Sequence, residues 1–435
     1  MTSPVPTASS RNPSQLIAAA SLASSSPASV RHQPDFRERI ELLKHTLPEF
    51  IDPYTDKYFL RTVEILKAEH LNPWVTAQVF VRKGPGEIAG IEKAVAILEK
   101  YTDARQPGAS LKILPEGSHY ASGETVMLIT APVQSIAQYE TEYLGKIARD
   151  TTVVNDQYQV STALVRKNMQ RVVAAAEGRR VIYMGARHWD MDEDAAISLA
   201  AFEGGAAECS TDIGAATVGK VGVGTIPHIL ENAVAIRYGK ERAVVEATLA
   251  FDRHIDPQVP RVALIDYNNR EVDDAVATAQ ALQGRLAAVR IDTCGENVMQ
   301  GALQDPADAA APIWDGVQLP AKDHPDARYW YGTGVSISGV YAIRKALDAA
   351  GHADVQIVLS SGFGDVRKVE AFVRAEKLLG LRLFDTLGVG SVIGPVRFAT
   401  MDVVMAGSSP ADLNPLAKAG RGYRENPNLQ EIWAG

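Results

Sequence analysis

The spacing of apolar and polar positions changes character partway along the chain. Three runs, "TAQVFVR" (76–82), "SLKILPEG" (110–117) and "TVMLITAP" (125–132), read as strands, and the helical spacing of "GIEKAVAILEKY" (90–101) places a helix between the first two. Strands grouped in this way predict a small α+β unit. Residues 133–180 carry a long helical pattern. Beyond them short β-branched or apolar runs recur, "RVIYMG", "KVGVGT", "RVALID", "LAAVRID", "VQIVLSS" and "LRLFDTLGVGS", with helical patterns in most of the gaps. This rhythm predicts a parallel sheet, and the number of units favours an irregular α/β barrel over an open sheet. The stretch 304–336, containing "RYWYGTG", interrupts it, and a loop of that length is usually functional or disordered. The organisation that follows is a tail (1–35), an N-terminal α+β domain (36–145), an α/β barrel (146–400) with the inserted loop 304–336, and a C-terminal segment (401–435) returning to the N-terminal domain.

Composition narrows the setting. The chain has 435 residues, 46% hydrophobic and 22% charged, enough to bury a sizeable core, and a formal net charge of -8. That charge argues against nucleic acid as a partner, because phosphate backbones select clustered basic surfaces; a local pocket for one phosphorylated small molecule is compatible with it. No apolar run approaches the ~20 residues of a membrane span. Two cysteines, Cys209 and Cys294, offer neither a disulfide framework nor a paired metal-ligand spacing, which suits a reducing, cytoplasmic setting. Residues 1–35 are rich in Ser, Pro and Ala, and predict a disordered tail more readily than a transit peptide, since only Arg11 and Arg31 supply the basic character.

In an α/β barrel the chemistry sits at the carboxyl ends of the strands. The residues there are polar: Arg187 after "IYMGA", Thr225 and His228 after "VGVG", Asp266 closing "VALID", Arg290 and Asp292 in "VRID", Ser360, Ser361 and Gly362 after "IVL", and Gly388, Gly390 and Ser391 in "GVGS". Two late glycine-rich strand ends can bring backbone N–H groups to a phosphate. Each alone also reads as a tight turn requiring positive φ. The run Asp190, Asp192, Glu193 and Asp194 reads as acids opening a helix or, less well, as a magnesium seat.

The ordered series "YTDKYF", "YETEYLG", "MGAR", "FEGGAAECST", "VGTIPH", "DPQVPRVALID", "VRIDT", "LSSGF" and "LGVGS" resembles the nicotinate phosphoribosyltransferases, particularly their shorter archaeal-type members, over roughly residues 50–405. The resemblance implies a type II phosphoribosyltransferase fold, a homodimer with shared active sites, and the joining of nicotinate to phosphoribosyl pyrophosphate with Mg2+ carried by the pyrophosphate. It implies that Tyr58, supplied by the partner subunit, stacks on the pyridine opposite Met184. Arg187 then meets the carboxylate or the phosphates, and Ser210 takes the place where nicotinamide-using relatives carry aspartate. Asp292 and Arg290 fix the ribose and nearby phosphates, and Asp266 assists with magnesium or ribose. Ser361, Gly362, Gly388, Gly390 and Ser391 cradle the 5'-phosphate. His228 falls on the histidine that ATP phosphorylates in members coupling hydrolysis to transfer, making ATP a co-substrate; a plain ligand role for His228 stays open. Bland readings remain beside these: Met184 as core, Ser210 as a helix cap shared with Thr211 and Asp212, Arg290 and Asp292 as a surface pair. The family pattern is broken by His188, where a second arginine is usual, and by Tyr267 after Asp266. Those departures leave open another pyridine such as quinolinate, or a catalytically silent scaffold.

Overall fold

The computed structural model describes residues 34–434; the disordered-tail expectation for 1–35 falls, through residue 33, outside the described residues. The chain divides into two units, residues 1–39 and residues 40–435. What is described of the first is the start of a helix, Phe36–Thr46.

Among the described residues the second unit holds fourteen strands: β1 (Trp74–Val81), β2 (Gly86–Glu87), β3 (Ser110–Ile113), β4 (His119–Tyr120), β5 (Thr125–Pro132), β6 (Arg180–Tyr183), β7 (Glu208–Cys209), β8 (Arg261–Leu264), β9 (Leu286–Ile291), β10 (Gln356–Leu359), β11 (Thr386–Val389), β12 (Ala399–Gly407), β13 (Asn414–Pro415) and β14 (Gln430–Ala434). One sheet is antiparallel, in the order β13-β12-β1-β5-β3-β14, so the last strands of the chain pair with the first ones. Its centre, β1, is buried over seven of eight positions because β5 and β12 flank it on both edges. The other sheet is parallel, in the order β7-β6-β11-β10-β9-β8. Its strands are short and apolar, as strands covered on both faces are. β2 and β4 form a separate two-stranded ribbon. Among the described residues no helix is long and apolar enough to cross a membrane.

The α/β class is what the sequence predicts, but the parallel sheet has six strands and does not close by a ladder. The expected strand "KVGVGT" is irregular and spans the gap between the edge strands β7 and β8. Its Val223 N–H donates to the Cys209 carbonyl at 2.9 Å on one side. On the other, Thr225 Oγ1 donates to the Val262 carbonyl at 3.1 Å. Side chains take the backbone groups a ladder would need: Asp212 Oδ1 accepts from the Gly222 N–H at 2.9 Å, and Arg61 donates to the Gly224 carbonyl. Glycine is required at 222 because a Cβ there would sit 2.7 Å from the carbonyl carbon of Thr211.

The long helix expected over 133–180 is three helices, Val133–Ile136, Glu140–Asp156 and Thr162–Ala175. Gln157 ends the second in a left-handed conformation (φ 49), and Ser161 caps the third by accepting from the Leu164 N–H at 3.4 Å. The insertion 304–336 is packed by buried Trp314, Tyr329, Trp330 and Tyr331 and contributes nothing to the lining of the main cavity. It anchors instead on the helix Val366–Leu379, where Arg374 donates to both Asp326 oxygens at 2.9 and 2.8 Å, and on Asp365, which accepts from Tyr329 Oη at 2.9 Å.

Since the Gly222 backbone approach holds the irregular closure in place, Gly222→Ala is expected to cost about 1–3 kcal/mol as the segment shifts. The neighbouring Val221→Ala, at a side chain 72% exposed, should stay within about 0.5 kcal/mol. Matching denaturant midpoints for the two variants would show that the closure does not depend on that approach.

Candidate functional site

A cavity of about 380 Å³ opens where the carboxyl ends of β6, β9, β10 and β11 face β12 of the antiparallel sheet. It brings together Tyr58, Met184, Arg187, His228, Arg290, Asp292, Ser361, Gly362, Gly388, Gly390 and Ser391 from the sequence-derived set. Arg290 and Asp292 share a face because side chains two apart on a strand point the same way. Asp292 Oδ1 accepts from Ser360 Oγ at 3.0 Å, and Arg290 donates to the Ile226 carbonyl at 3.0 Å.

Tyr58 sits in the cavity of its own chain. The 55–58 segment is tied to the edge of the parallel sheet by an isolated bridge, Asp56 to Thr211, and by the Lys57 N–H donating to the Ser210 carbonyl at 2.8 Å. Tyr58 Oη therefore accepts from Arg187 at 2.9 Å and faces Asp56 Oδ2 at 3.3 Å. Within the single chain Tyr58 thus already lines this cavity, where the resemblance implied a tyrosine from a partner subunit. Glu140 completes the arrangement, accepting from Arg187 at 3.1 Å. Burial pushes the Glu140 carboxyl up to about 7 against the pull of Arg187. Arg187 stays charged: burial opposes its charge, but Tyr58 and Glu140 outweigh it.

Two other expectations move. Ser210 is buried with its hydroxyl unpartnered and does not line the cavity; the helix after it is capped by Thr211, whose Oγ1 accepts from the Gly214 N–H at 3.2 Å. Asp266 lies one layer behind the cavity, fully buried, facing His228 Nε2 at 3.1 Å and paired with Lys418. Burial would raise its carboxyl, but Lys418 and His228 hold it well below the usual carboxylate range. Burial and Lys418 together lower His228, leaving it neutral near pH 7. With Asp266 accepting from Nε2–H, the lone pair resides on Nδ1, and the side chain is 25% accessible.

The late glycines divide into two kinds. A Cβ on Gly388 would meet Met184 Sδ at 2.6 Å, and one on Gly390 would strike the His188 ring, so these two glycines make room for side chains. Ser361 and Gly362 instead adopt left-handed backbone, φ 67 and 86. No partner among the described residues accepts from the N–H groups of Ser361, Gly362 or Phe363, all three of which line the cavity. Gly388, Gly390 and Ser391 from the second loop line the same cavity. His188, packed on Phe398 at 4.4 Å between ring centroids, is pushed down to about 3 by burial and Arg187, so the position of the missing second arginine carries no charge.

The acidic run is also divided: Lys146 Nζ holds Asp190 at 2.6 Å and Asp192 at 2.9 Å, while Asp194 accepts from Thr211. Burial raises the thiols of Cys209 (to about 12) and Cys294, in keeping with a structural reading, although Cys294 reaches the cavity.

Sequence reasoning missed Arg82, Glu140, Asp402, Lys418 and Arg421, all of which line the cavity. Arg82 directly follows β1, while Asp402, Lys418 and Arg421 arrive with the returning C-terminal strands. The basic spacing of "KAGRGYR" was the available signal. Arg421 NH1 and Arg82 NH1 share Glu296, at 3.3 and 3.7 Å.

Comparison with known proteins agrees with this architecture. A family model described as quinolinate phosphoribosyl transferase, N-terminal domain, matches residues 56–150. The solved nicotinate phosphoribosyltransferase of Porphyromonas gingivalis is similar at 13% identity, covering 86% of this chain and 96% of that one, with a TM-score of 0.56. That of Vibrio cholerae is similar at 10% identity, 84% and 87% coverage, and a TM-score of 0.52. The nicotinate-nucleotide pyrophosphorylase of Pyrococcus furiosus is similar at 25% identity over 93% of this chain and 86% of its own, with a TM-score of 0.38. No curated protein matches by sequence.

The layering of the site predicts a division of labour between two aspartates. Asp266→Ala leaves the Lys418 ammonium buried without its counter-charge and is expected to cost about 3–5 kcal/mol. Asp292→Asn, at a half-buried carboxylate facing the cavity, should cost about 1 kcal/mol or less. Equal shifts of the denaturation midpoint would refute this layering.

Proposed function

The chain has the type II phosphoribosyltransferase fold, and from that premise we propose that it is a pyridine phosphoribosyltransferase whose substrate is nicotinate. The pyridine nitrogen bonds to C1 of phosphoribosyl pyrophosphate as the bond from C1 to the pyrophosphate oxygen breaks, giving nicotinate mononucleotide and pyrophosphate. The observation that carries this reading is one cavity holding unpartnered N–H groups at 361–363, the Asp292 carboxylate, and Arg187 beside Tyr58. An oxocarbenium-like carbon is stabilised by a nearby fixed carboxylate, and the departing pyrophosphate, with its Mg2+, by a cationic wall. Lys418, Arg82 and Arg421 supply that wall.

One carboxylate suits the pyridine end better than two. Arg187 is already committed to Tyr58 and Glu140, and His188 adds no charge. Quinolinate, with a second carboxylate, is the alternative favoured by the family match over 56–150. Incubation of the purified protein with phosphoribosyl pyrophosphate, Mg2+ and a panel of pyridines, read by mass, is expected to yield nicotinate mononucleotide as the main product. Asp292→Asn should lose turnover while keeping its fold. A quinolinate-only product would replace the substrate, and absence of any product or of thermal stabilisation by the donor would favour a silent scaffold.

Coupling to ATP belongs to the same proposal. A neutral His228 with Nε2–H held by Asp266 is a competent phosphoryl acceptor at Nδ1. ATP with Mg2+ is expected to raise product yield and to leave acid-labile, base-stable phosphate on the protein; His228→Ala should lose both while retaining slow transfer. Wild-type protein that turns over without taking up label would make His228 a ligand only.

A further inference from the structure

The segment that carries the unpartnered N–H groups also carries an ammonium with no carboxylate partner. Lys368 lies in the first turn of the helix Val366–Leu379, and its Nζ folds back to donate to the Ser361 carbonyl at 3.1 Å. The same Nζ stands over the Phe363 ring, 4.4 Å from its centroid, and 3.6 Å from where a Cβ on Gly362 would lie. Nothing else approaches that side of Gly362 within 4 Å. Among the described residues no carboxylate lies within ion-pair distance of Lys368 Nζ. The two nearest acids are otherwise engaged: Asp365 accepts from the Arg367 N–H at 3.0 Å and from Tyr329, and Asp292 accepts from Ser360.

A half-buried ammonium satisfied only by one carbonyl and a ring face is poorly compensated, and burial pushes Lys368 down to about 8 with Asp365 and Asp292 opposing. It has three N–H donors and uses one of them on Ser361. An anion seated on the N–H groups of Ser361, Gly362 and Phe363 would lie beside the other two. Backbone N–H groups and a lysine together form a stronger phosphate site than either alone, because the amides fix position while the ammonium supplies net charge.

We propose that Lys368 is a ligand of the donor's 5'-phosphate, bonded to the Ser361 carbonyl in the empty site and closing on the phosphate when the donor binds. This rests on the phosphoribosyltransferase reading for the identity of the donor, but the geometry asks only for an anion of phosphate size. Lys368 stands behind the Ser361–Phe363 part of the cavity lining, whereas Arg82, Lys418 and Arg421 belong to the lining itself and would serve different oxygens.

The test uses full-length protein and two probes, ribose 5-phosphate and phosphoribosyl pyrophosphate with Mg2+, titrated calorimetrically into wild type, Lys368→Met and Lys368→Arg. Lys368→Met is expected to weaken both probes by about tenfold or more, the effect of losing a charged hydrogen bond. The pyridine KM should stay within about twofold, and Lys368→Arg should recover most of the affinity. Lys368→Met that binds ribose 5-phosphate like wild type overturns the proposal, as does a loss in Lys368→Met that Lys368→Arg shares in full together with a lowered melting temperature, which marks a structural role. If Lys368→Met loses ribose 5-phosphate binding yet wild type makes no nucleotide with any pyridine, the lysine assignment stands and the transferase reading fails.

Discussion

A buried ion pair between Lys418 and Asp266 sits where the two sheets meet, and the cavity exists in its present form because of it. Asp266 follows β8 of the parallel sheet, whereas Lys418 lies beyond β13 in the segment that returns to the antiparallel sheet. Both side chains are removed from water, so neither charge is tolerable without the other. Burial lowers the lysine's affinity for its proton, but Asp266 and then Asp292 more than restore it. The pair therefore acts as a register pin: Lys418 also donates to the Asp292 carbonyl at 3.2 Å, and the Ala419 N–H donates to the Tyr267 carbonyl at 2.8 Å. Two strand ends, those of β8 and β9, are thereby held against one returning segment.

From that pin the electrostatics of the cavity follow. His228 is oriented by the free oxygen of Asp266, and Arg421, three residues after Lys418, is carried to the cavity wall beside Arg82 and Glu296. Each cation that lines the space already has an internal partner: Glu140 and Tyr58 for Arg187, a carbonyl for Arg290, Glu296 for Arg82 and Arg421. The cations around this space are thus held in place by partners within the protein. A ligand entering such a space would exchange partners with groups that are already held in place, which limits reorganisation.

The sequence made the α/β class legible, along with most of the strand-end residues, because apolar period and strand-end position are local properties. "VRID" and "LSSGF" each place their polar residues immediately after the run that buries them. What it hid was relational. "KVGVGT" has strand composition, yet Asp212 and Arg61 occupy its backbone groups, and neither lies within the run. Lys418 and Arg421 stand more than a hundred residues from the strand end they serve, in a segment whose own pattern offers only a basic spacing. The placement of Tyr58 likewise depends on a bridge from Asp56 to Thr211, a pairing that no periodicity encodes.

Glycine shows why motif order reached further than motif content here. "SSGFG" and "GVGS" look equivalent on paper, both being small residues at the end of a late strand. In the folded chain Gly388 and Gly390 yield their space to Met184 and His188, and Gly364 yields its own to Ser391, so the second loop packs against the first. Gly362 alone of these combines left-handed backbone with an open flank. The cost of a left-handed conformation at Ser361, a residue with a Cβ, is offset by its Oγ donating to the Thr293 carbonyl at 3.1 Å and by Lys368 holding its own carbonyl. One glycine loop therefore packs in support of the other, whose strained backbone its neighbours are arranged to hold.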